Sequence, residues 1–259
     1  MLGAIAGDII GSVYEFHPIK TMDFPLFSER SVWTDDTVLT LAVAETLLTG
    51  RPYKETMREF ALENSDAGFG GMFRQWFTTQ GSKPYNSFGN GSAMRVSPVG
   101  WAFDTLEETM VEAQRSAEVT HNHPEGIKGA QSVAAAIFLA RKGATQMDIR
   151  GALEQRFGYD LHRTYVDIQP SCSFDETCQR SVPEALICAL TSTSFEDAVR
   201  RAVALGGDAD TQGAIAGSVA EALYGGVPEG IAKEARARLT PQFISILDAF
   251  QDKYHIPHS

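Results

Sequence analysis

The sequence predicts an all-α fold, on three observations. Apolar residues recur at three- and four-residue steps, N-terminal capping patterns precede the apolar runs, and strand-length alternation of apolar and polar residues is scarce. The first helix starts almost at once, with Leu2, Ile5, Ala6, Ile9, Ile10 and Val13 along one buried stripe. It carries Gly3, Gly7 and Gly11 at four-residue spacing. Each glycine costs a helix interior about 1 kcal/mol relative to Ala, so a second backbone or a ligand is expected to come close there. A second helix is predicted from Val38 to Leu48, introduced by Thr34-Asp35-Asp36-Thr37 and closed by Gly50. Asp104 with Glu107, and Ser194 with Asp197, have capping-box spacing, while Gly143 and Gly206 stand where helices should end. Alanine-rich patterns from Gly129 to Ala140 and from Gly213 to Leu223 continue the series. The glycine- and aromatic-rich stretch from Gly68 to Trp101 lacks a period and reads as a functional loop. No linker or repeat divides the chain, so residues 1–259 read as a single domain.

Composition narrows the function. A hydrophobic content of 43%, with 15 Phe and 3 Trp, supplies a substantial core and argues against disorder. The formal net charge of −11 repels polyanions, which excludes general nucleic-acid binding and adhesion to anionic membranes. A phosphate-rich ligand must therefore meet a local site. Cys172, Cys178 and Cys188 have no metal-ligand spacing and cannot all pair, which fits a reducing cytoplasm. The first residues lack a basic leader, Asp8 interrupts the apolar run, and no stretch approaches the ~20 apolar residues of a membrane span. The reading is a cytoplasmic protein with no membrane partner.

Two segments share a design. Thr34-Asp35-Asp36-Thr37 opens one apolar helix and Gly207-Asp208-Ala209-Asp210-Thr211 opens another. Asp and Thr at a helix start also cap orphan amides, but capping needs one oxygen and both segments supply a surplus. Their oxygens are hard ligands suited to Mg²⁺, Mn²⁺ or Ca²⁺, and two such turns face to face could hold two cations ~3.5 to 4 Å apart. Glu15, seven residues after Asp8, would share a face of the first helix with it. Asn90-Gly91-Ser92-Ala93-Met94-Arg95 offers small residues, whose amides can approach a ligand, and an arginine for a phosphate or an Asp partner. Thr120-His121-Asn122-His123-Pro124 places imidazoles before a helix beginning near Glu125, where anions bind favourably. No phosphate-binding glycine loop with lysine and no Gly-x-Ser-x-Gly elbow occurs, which removes the commonest phosphotransferase and serine-hydrolase readings.

Taken in order, the segments are Gly7-Asp8-Ile9-Ile10-Gly11 through Glu15, Trp33-Thr34-Asp35-Asp36-Thr37, Gly89-Asn90-Gly91-Ser92-Ala93-Met94-Arg95, Thr120-His121, and Gly206-Gly207-Asp208-Ala209-Asp210-Thr211. With them the chain resembles the ADP-ribosylglycohydrolase family over nearly its whole length. The resemblance implies an orthogonal helical bundle with a dinuclear magnesium or manganese centre in a cleft. By motif match, Thr34, Asp35, Asp36, Asp208, Asp210 and Thr211 would be the ligands, and Glu15 the mobile glutamate beside the metals. Asn90, Gly91, Ser92 and His121 would line the ADP-ribose pocket; Met94 and Arg95 of the same segment are counted with the substrate contacts, Met94 having a place in the core as its alternative reading.

The implied reaction is divalent-metal-dependent hydrolysis of the glycosidic bond between ADP-ribose and a protein side chain or small acceptor, by a monomer. Positive charge builds on the sugar, so the site must hold the ribose hydroxyls, activate a water and protonate the leaving group. Asp35 or Asp36 is assigned the water and Glu15 a metal-ligating or proton-donating role. Arginine-directed relatives carry an acid three residues before the pocket Asn, where this chain has Ser87. The competing expectations are an inactive ADP-ribose-binding or structural relative and a two-metal nucleotide pyrophosphohydrolase.

Overall fold

The structure is a computed structural model that describes residues 1–256; the last three residues of the expected 1–259 domain lie outside it. The described residues form fifteen α-helices and no β-strand, as the periodicity predicts. A long segment joins α1 (Leu2–Gly11) to α2 (Asp35–Thr49). The helices α3 (Tyr53–Glu63), α4 (Gly71–Thr78), α5 (Gly91–Met94) and α6 (Ser97–Ala102) follow. Three of these lie in the stretch from Gly68 to Trp101, read above as a loop; they are short, and α5 spans a single turn. The long helices α7 (Leu106–Glu118) and α8 (Pro124–Arg141) pack on each other, and α9 (Gln146–Phe157) and the one-turn α10 (Tyr165–Ile168) lead into α11 (Cys178–Leu190). The chain ends with α12 (Phe195–Ala204), α13 (Ala209–Leu223), α14 (Glu229–Arg236) and α15 (Pro241–Tyr254).

The caps follow the sequence with one shift. Ser194 Oγ accepts from Asp197 N at 3.1 Å, but α7 is boxed by Thr105 and Glu108, one residue after the expected Asp104 and Glu107. Thr105 wins because its hydroxyl and Glu108 satisfy each other's main-chain amides reciprocally. Helix α2 starts at Asp35, three residues earlier than predicted, because Thr34 Oγ1 accepts from Asp36 N at 3.2 Å and caps it. Two acidic residues therefore stand in its first turn.

Helices α1 and α13 form the centre of the fold. All ten residues of α1 are buried, and it runs antiparallel to α13 at backbone contact. A Cβ on Gly3 would lie 2.3 Å from the Gly217 carbonyl oxygen, one on Gly7 2.0 Å from that of Gly213, and one on Gly11 2.2 Å from that of Ala209. The glycine spacing thus marks a helix–helix seam rather than a ligand contact. Its last rung sets the end of α1 against the first turn of α13.

Gly7→Ala should accordingly destabilise the protein although alanine is the better helix former. The methyl meets a carbonyl of another helix, not a side chain that can turn away, and overpacking of this kind costs about 1–3 kcal/mol or more. For a chain of this size that is a fall in Tm of roughly 3–10 °C. Gly151→Ala is the control: it lies exposed within α9 with nothing within 4 Å of the new methyl, and should leave Tm unchanged or raised. Equal melting curves for the two variants would refute the seam.

Candidate metal centre

Helices α2 and α13 begin side by side, which brings together carboxylates far apart in sequence. Thr34, Asp35 and Asp36 stand at the start of α2, and Asp208, Asp210 and Thr211 at the start of α13. Thr211 Oγ1 donates to Asp36 Oδ2 at 3.2 Å and ties the two turns directly. The α1–α13 seam delivers the following residues to the same place, where carboxylate oxygens of Glu15, Asp208 and Asp210 lie within 4.8 Å of one another.

Glu15 arrives by a different route from the one its spacing predicts. Helix α1 ends at Gly11, so Glu15 does not share a helical face with Asp8. Ser12 Oγ donates to Ile9 O at 2.9 Å and accepts from Val32 N at 3.2 Å, competing with the helical backbone and drawing the incoming loop across the helix end. The turn closed by Tyr14 N donating to Gly11 O at 2.7 Å then carries Glu15 towards α13.

Asp8 is the site residue that sequence reasoning misses. It is fully buried, and Thr34 N, Thr34 Oγ1 and Thr37 N donate to its carboxylate at 3.0, 2.8 and 3.1 Å, with Thr37 Oγ1 beside them. It therefore fixes the first turn of α2, where a negative charge also complements the helix dipole. The available signal is a lone carboxylate inside an otherwise wholly apolar helix.

The glycine turn lies on the other side of the acids. Asn90 Nδ2 donates to Asp208 Oδ2 at 2.7 Å and to Ser181 Oγ at 3.1 Å, holding one acid. The turn itself hangs on α11: Asn90 N donates to Glu176 O at 2.7 Å and Cys178 N to Phe88 O at 2.9 Å. His121 Nε2 lies 3.1 Å from where a Gly91 Cβ would stand, so Gly91 leaves that nitrogen room. His123, by contrast, is the N-cap of α8, accepting from Glu125 N at 3.1 Å.

Three expected substrate contacts turn inward. Ser92 is fully buried with its hydroxyl donating to Gly126 O at 2.7 Å, and Met94 joins the core with its sulfur 3.8 Å from Thr211 Oγ1. Arg95 requires a correction. Its side chain is 0% exposed and its Nη2 donates to Ser116 O at 2.9 Å and Thr120 Oγ1 at 3.0 Å, so it can neither meet a phosphate nor pair with an Asp. The free carbonyl at the C-terminal end of α7 draws the guanidinium into the interior.

Comparison with known proteins follows the same geometry. The family model described as ADP-ribosylglycohydrolase matches residues 1–254. The chain belongs to the ADP-ribosylglycohydrolase family. It is 26% identical over 305 residues to "ADP-ribosylhydrolase ARH3" of Mus musculus, covering 87% of this chain and 82% of that protein. To "ADP-ribosylarginine hydrolase Tri1" of Pseudomonas putida it is 27% identical over 261 residues, covering 87% and 69%. A solved structure titled "ADP-ribosylglycohydrolase-related protein complex" superposes with a TM-score of 0.76 at 26% identity, over 98% of this chain and 96% of that one.

Electrostatically, this family member stacks carboxylates that repel one another. Burial, followed by the charge of Asp210, pushes Asp8 up to about 7 and both Glu15 and Asp35 up to about 8. The same two causes raise Asp36 and Asp208 well above the usual carboxylate range. Asp36 Oδ1 is buried and has no hydrogen-bond partner among the described residues. Hard oxygen donors, mutual repulsion and an orphaned buried oxygen fit a divalent cation, which would restore charge balance and use the unpaired atom. Burial, then the charge of Arg95, holds the His121 imidazole well below its usual range and hence neutral. Among the described residues no helix is long and apolar enough to cross a membrane.

Proposed function

We propose that this ADP-ribosylglycohydrolase hydrolyses the bond between C1″ of ADP-ribose and an acceptor, either a protein side chain or a small molecule, with two divalent cations held between the first turns of α2 and α13. The convergence of Glu15, Asp208 and Asp210 on one point, beside an Asp36 bonded to Thr211, carries the reading. Thr34, Asp35, Asp36, Asp208, Asp210 and Thr211 would hold the cations, which when bound supply Lewis acidity and fix the ribose diol. Asp35, half-buried in the first turn of α2, is placed to hold and deprotonate the attacking water, with Asp36 as its neighbour. Glu15, whose carboxylate converges with Asp208 and Asp210, stands where it could ligate a cation or pass a proton to the departing acceptor. Asn90, Gly91 and His121 present the ligand-facing side of the glycine turn. One relative's name specifies arginine as the acceptor and the other's specifies none, and Ser87 supplies no carboxylate for a guanidinium: it is buried, with its hydroxyl accepting from Gly89 N at 3.1 Å.

Incubating the protein and Mn²⁺ with serine- and arginine-ADP-ribosylated peptides and an ADP-ribosylated nucleoside, then weighing the products by mass spectrometry, tests the proposal. Free ADP-ribose plus unmodified acceptor is the expected outcome. Release of AMP with ribose phosphate left on the acceptor would assign the site to pyrophosphate cleavage instead, and intact substrates throughout would make the chain a binding relative.

A further inference from the structure

Arg95 poses a question that the metal centre does not answer. It is a fully buried cation with no carboxylate partner among the described residues, and two of its nitrogens, Nε and Nη1, likewise have no hydrogen-bond partner among them. Burying an uncompensated charge is strongly unfavourable, so what the guanidinium does touch is informative. Its Nη2 donates to Thr120 Oγ1 at 3.0 Å, and the same oxygen lies 2.7 Å from His121 Nδ1.

We propose that Arg95 and Thr120 form a relay that fixes the tautomer of His121, making Nε2 a permanent N–H donor aimed at the glycine turn, where it binds an acceptor oxygen of ADP-ribose.

A guanidinium can only donate, so Thr120 Oγ1 accepts from Arg95. Thr120 is fully buried, and its own hydroxyl proton must find an acceptor. At 2.7 Å, His121 Nδ1 is that acceptor if it is unprotonated. Were Nδ1 the protonated nitrogen, Thr120 Oγ1 would receive two hydrogen bonds and its proton would have to turn elsewhere, as towards the neighbouring Tyr85 hydroxyl. A phenol oxygen is a weaker acceptor than an imidazole nitrogen, and the Arg95 charge polarises the threonine O–H towards donation. The single proton of the neutral ring then resides on Nε2. That nitrogen stands 3.1 Å and 3.6 Å from the Cβ positions that Gly91 and Gly89 lack, facing the glycine turn. Arg95 is thus a positioning residue: it contributes positive potential and a fixed donor to the ligand without touching it. The ligand half of the inference rests on the ADP-ribose reading; the tautomer half does not.

Nitrogen NMR of the His121 ring, assigned by its loss in His121→Gln, reads the tautomer directly, and calorimetry with free ADP-ribose reads binding. The wild type should show a protonated Nε2. Thr120→Val, which keeps shape but removes the hydroxyl, should mix or reverse the tautomers and weaken ADP-ribose about tenfold, the loss of one buried hydrogen bond. Thr120→Ser should restore both signals, and Tyr85→Phe should leave the tautomer unchanged. A protonated Nδ1 in the wild type, or an unaltered tautomer in a folded Thr120→Val protein, overturns the relay. Should Thr120→Val fail to fold, the wild-type spectrum and the Thr120→Ser and Tyr85→Phe arms still decide it. Absence of ADP-ribose binding by the wild type would instead remove the functional reading and leave the tautomer result standing.

Discussion

Asp210→Asn should lower turnover roughly 10³-fold and at the same time raise the melting temperature of the cation-free protein. The first effect follows from its place beside Glu15 and Asp208, where losing a ligand charge forfeits several kcal/mol of metal-derived stabilisation. The second follows from repulsion, because the Asp210 charge is among the causes that raise Asp8, Glu15, Asp35, Asp36 and Asp208. Carboxylates whose folded pKa lies above the unfolded one bind more protons in the folded state. Without cations, stability should therefore be greatest near pH 4 and fall as pH rises towards about 8, the span between ordinary carboxylate values and those of Glu15 and Asp35. Removing one charge flattens that fall, and saturating Mn²⁺ should largely abolish it in the wild type. Thermal melts at pH 5 and pH 8, in chelator and in Mn²⁺, check each part. Unchanged Mn²⁺ affinity in calorimetry would remove Asp210 from the ligand set.

Glu15→Ala should preserve the fold and lower kcat by at least ~10²-fold, the low end for a general acid or base. Glu15 is half-buried in the turn after α1, outside every helix, so truncation leaves no cavity in the core; losing its charge should, as with Asp210→Asn, raise the stability of the cation-free protein near pH 8. Its carboxylate nonetheless converges with Asp208 and Asp210, within reach of both the proposed cations and the departing acceptor. Glu15→Gln should be nearly as poor, since the amide keeps the shape but can neither exchange a proton nor supply charge. Steady-state kinetics at saturating Mn²⁺ separates the roles: a kcat restored by excess metal makes Glu15 a ligand, whereas one that stays low makes it the acid. Full turnover in Glu15→Ala would return Glu15 to an ordinary surface position.

How far the sequence carries the structure depends on the residue in question. The helices, the glycine seam and the pairing of the two acidic turns are readable because each rests on a local rule: a period, a close-approach residue, or more carboxylates than a cap requires. Glu15 shows the limit of periodicity, which specifies a face but not where the helix stops; here Ser12 bonding to Ile9 and Val32 decides it. Arg95 shows another limit, since its direction is set by Ser116 and Thr120, distant residues whose carbonyl and hydroxyl no local pattern reveals. Asp8 is visible as an isolated charge in an apolar helix, but its partners Thr34 and Thr37 become known only when α1 and α2 meet.

Two cations are expected between the first turns of α2 and α13. Anomalous diffraction from crystals grown with Mn²⁺ tests this most directly. The expected result is two peaks about 3.5–4 Å apart, one towards Asp35 and Asp36 and one towards Asp208 and Asp210. A single peak, or carboxylates of the two turns held more than ~10 Å apart around it, would contradict the dinuclear centre.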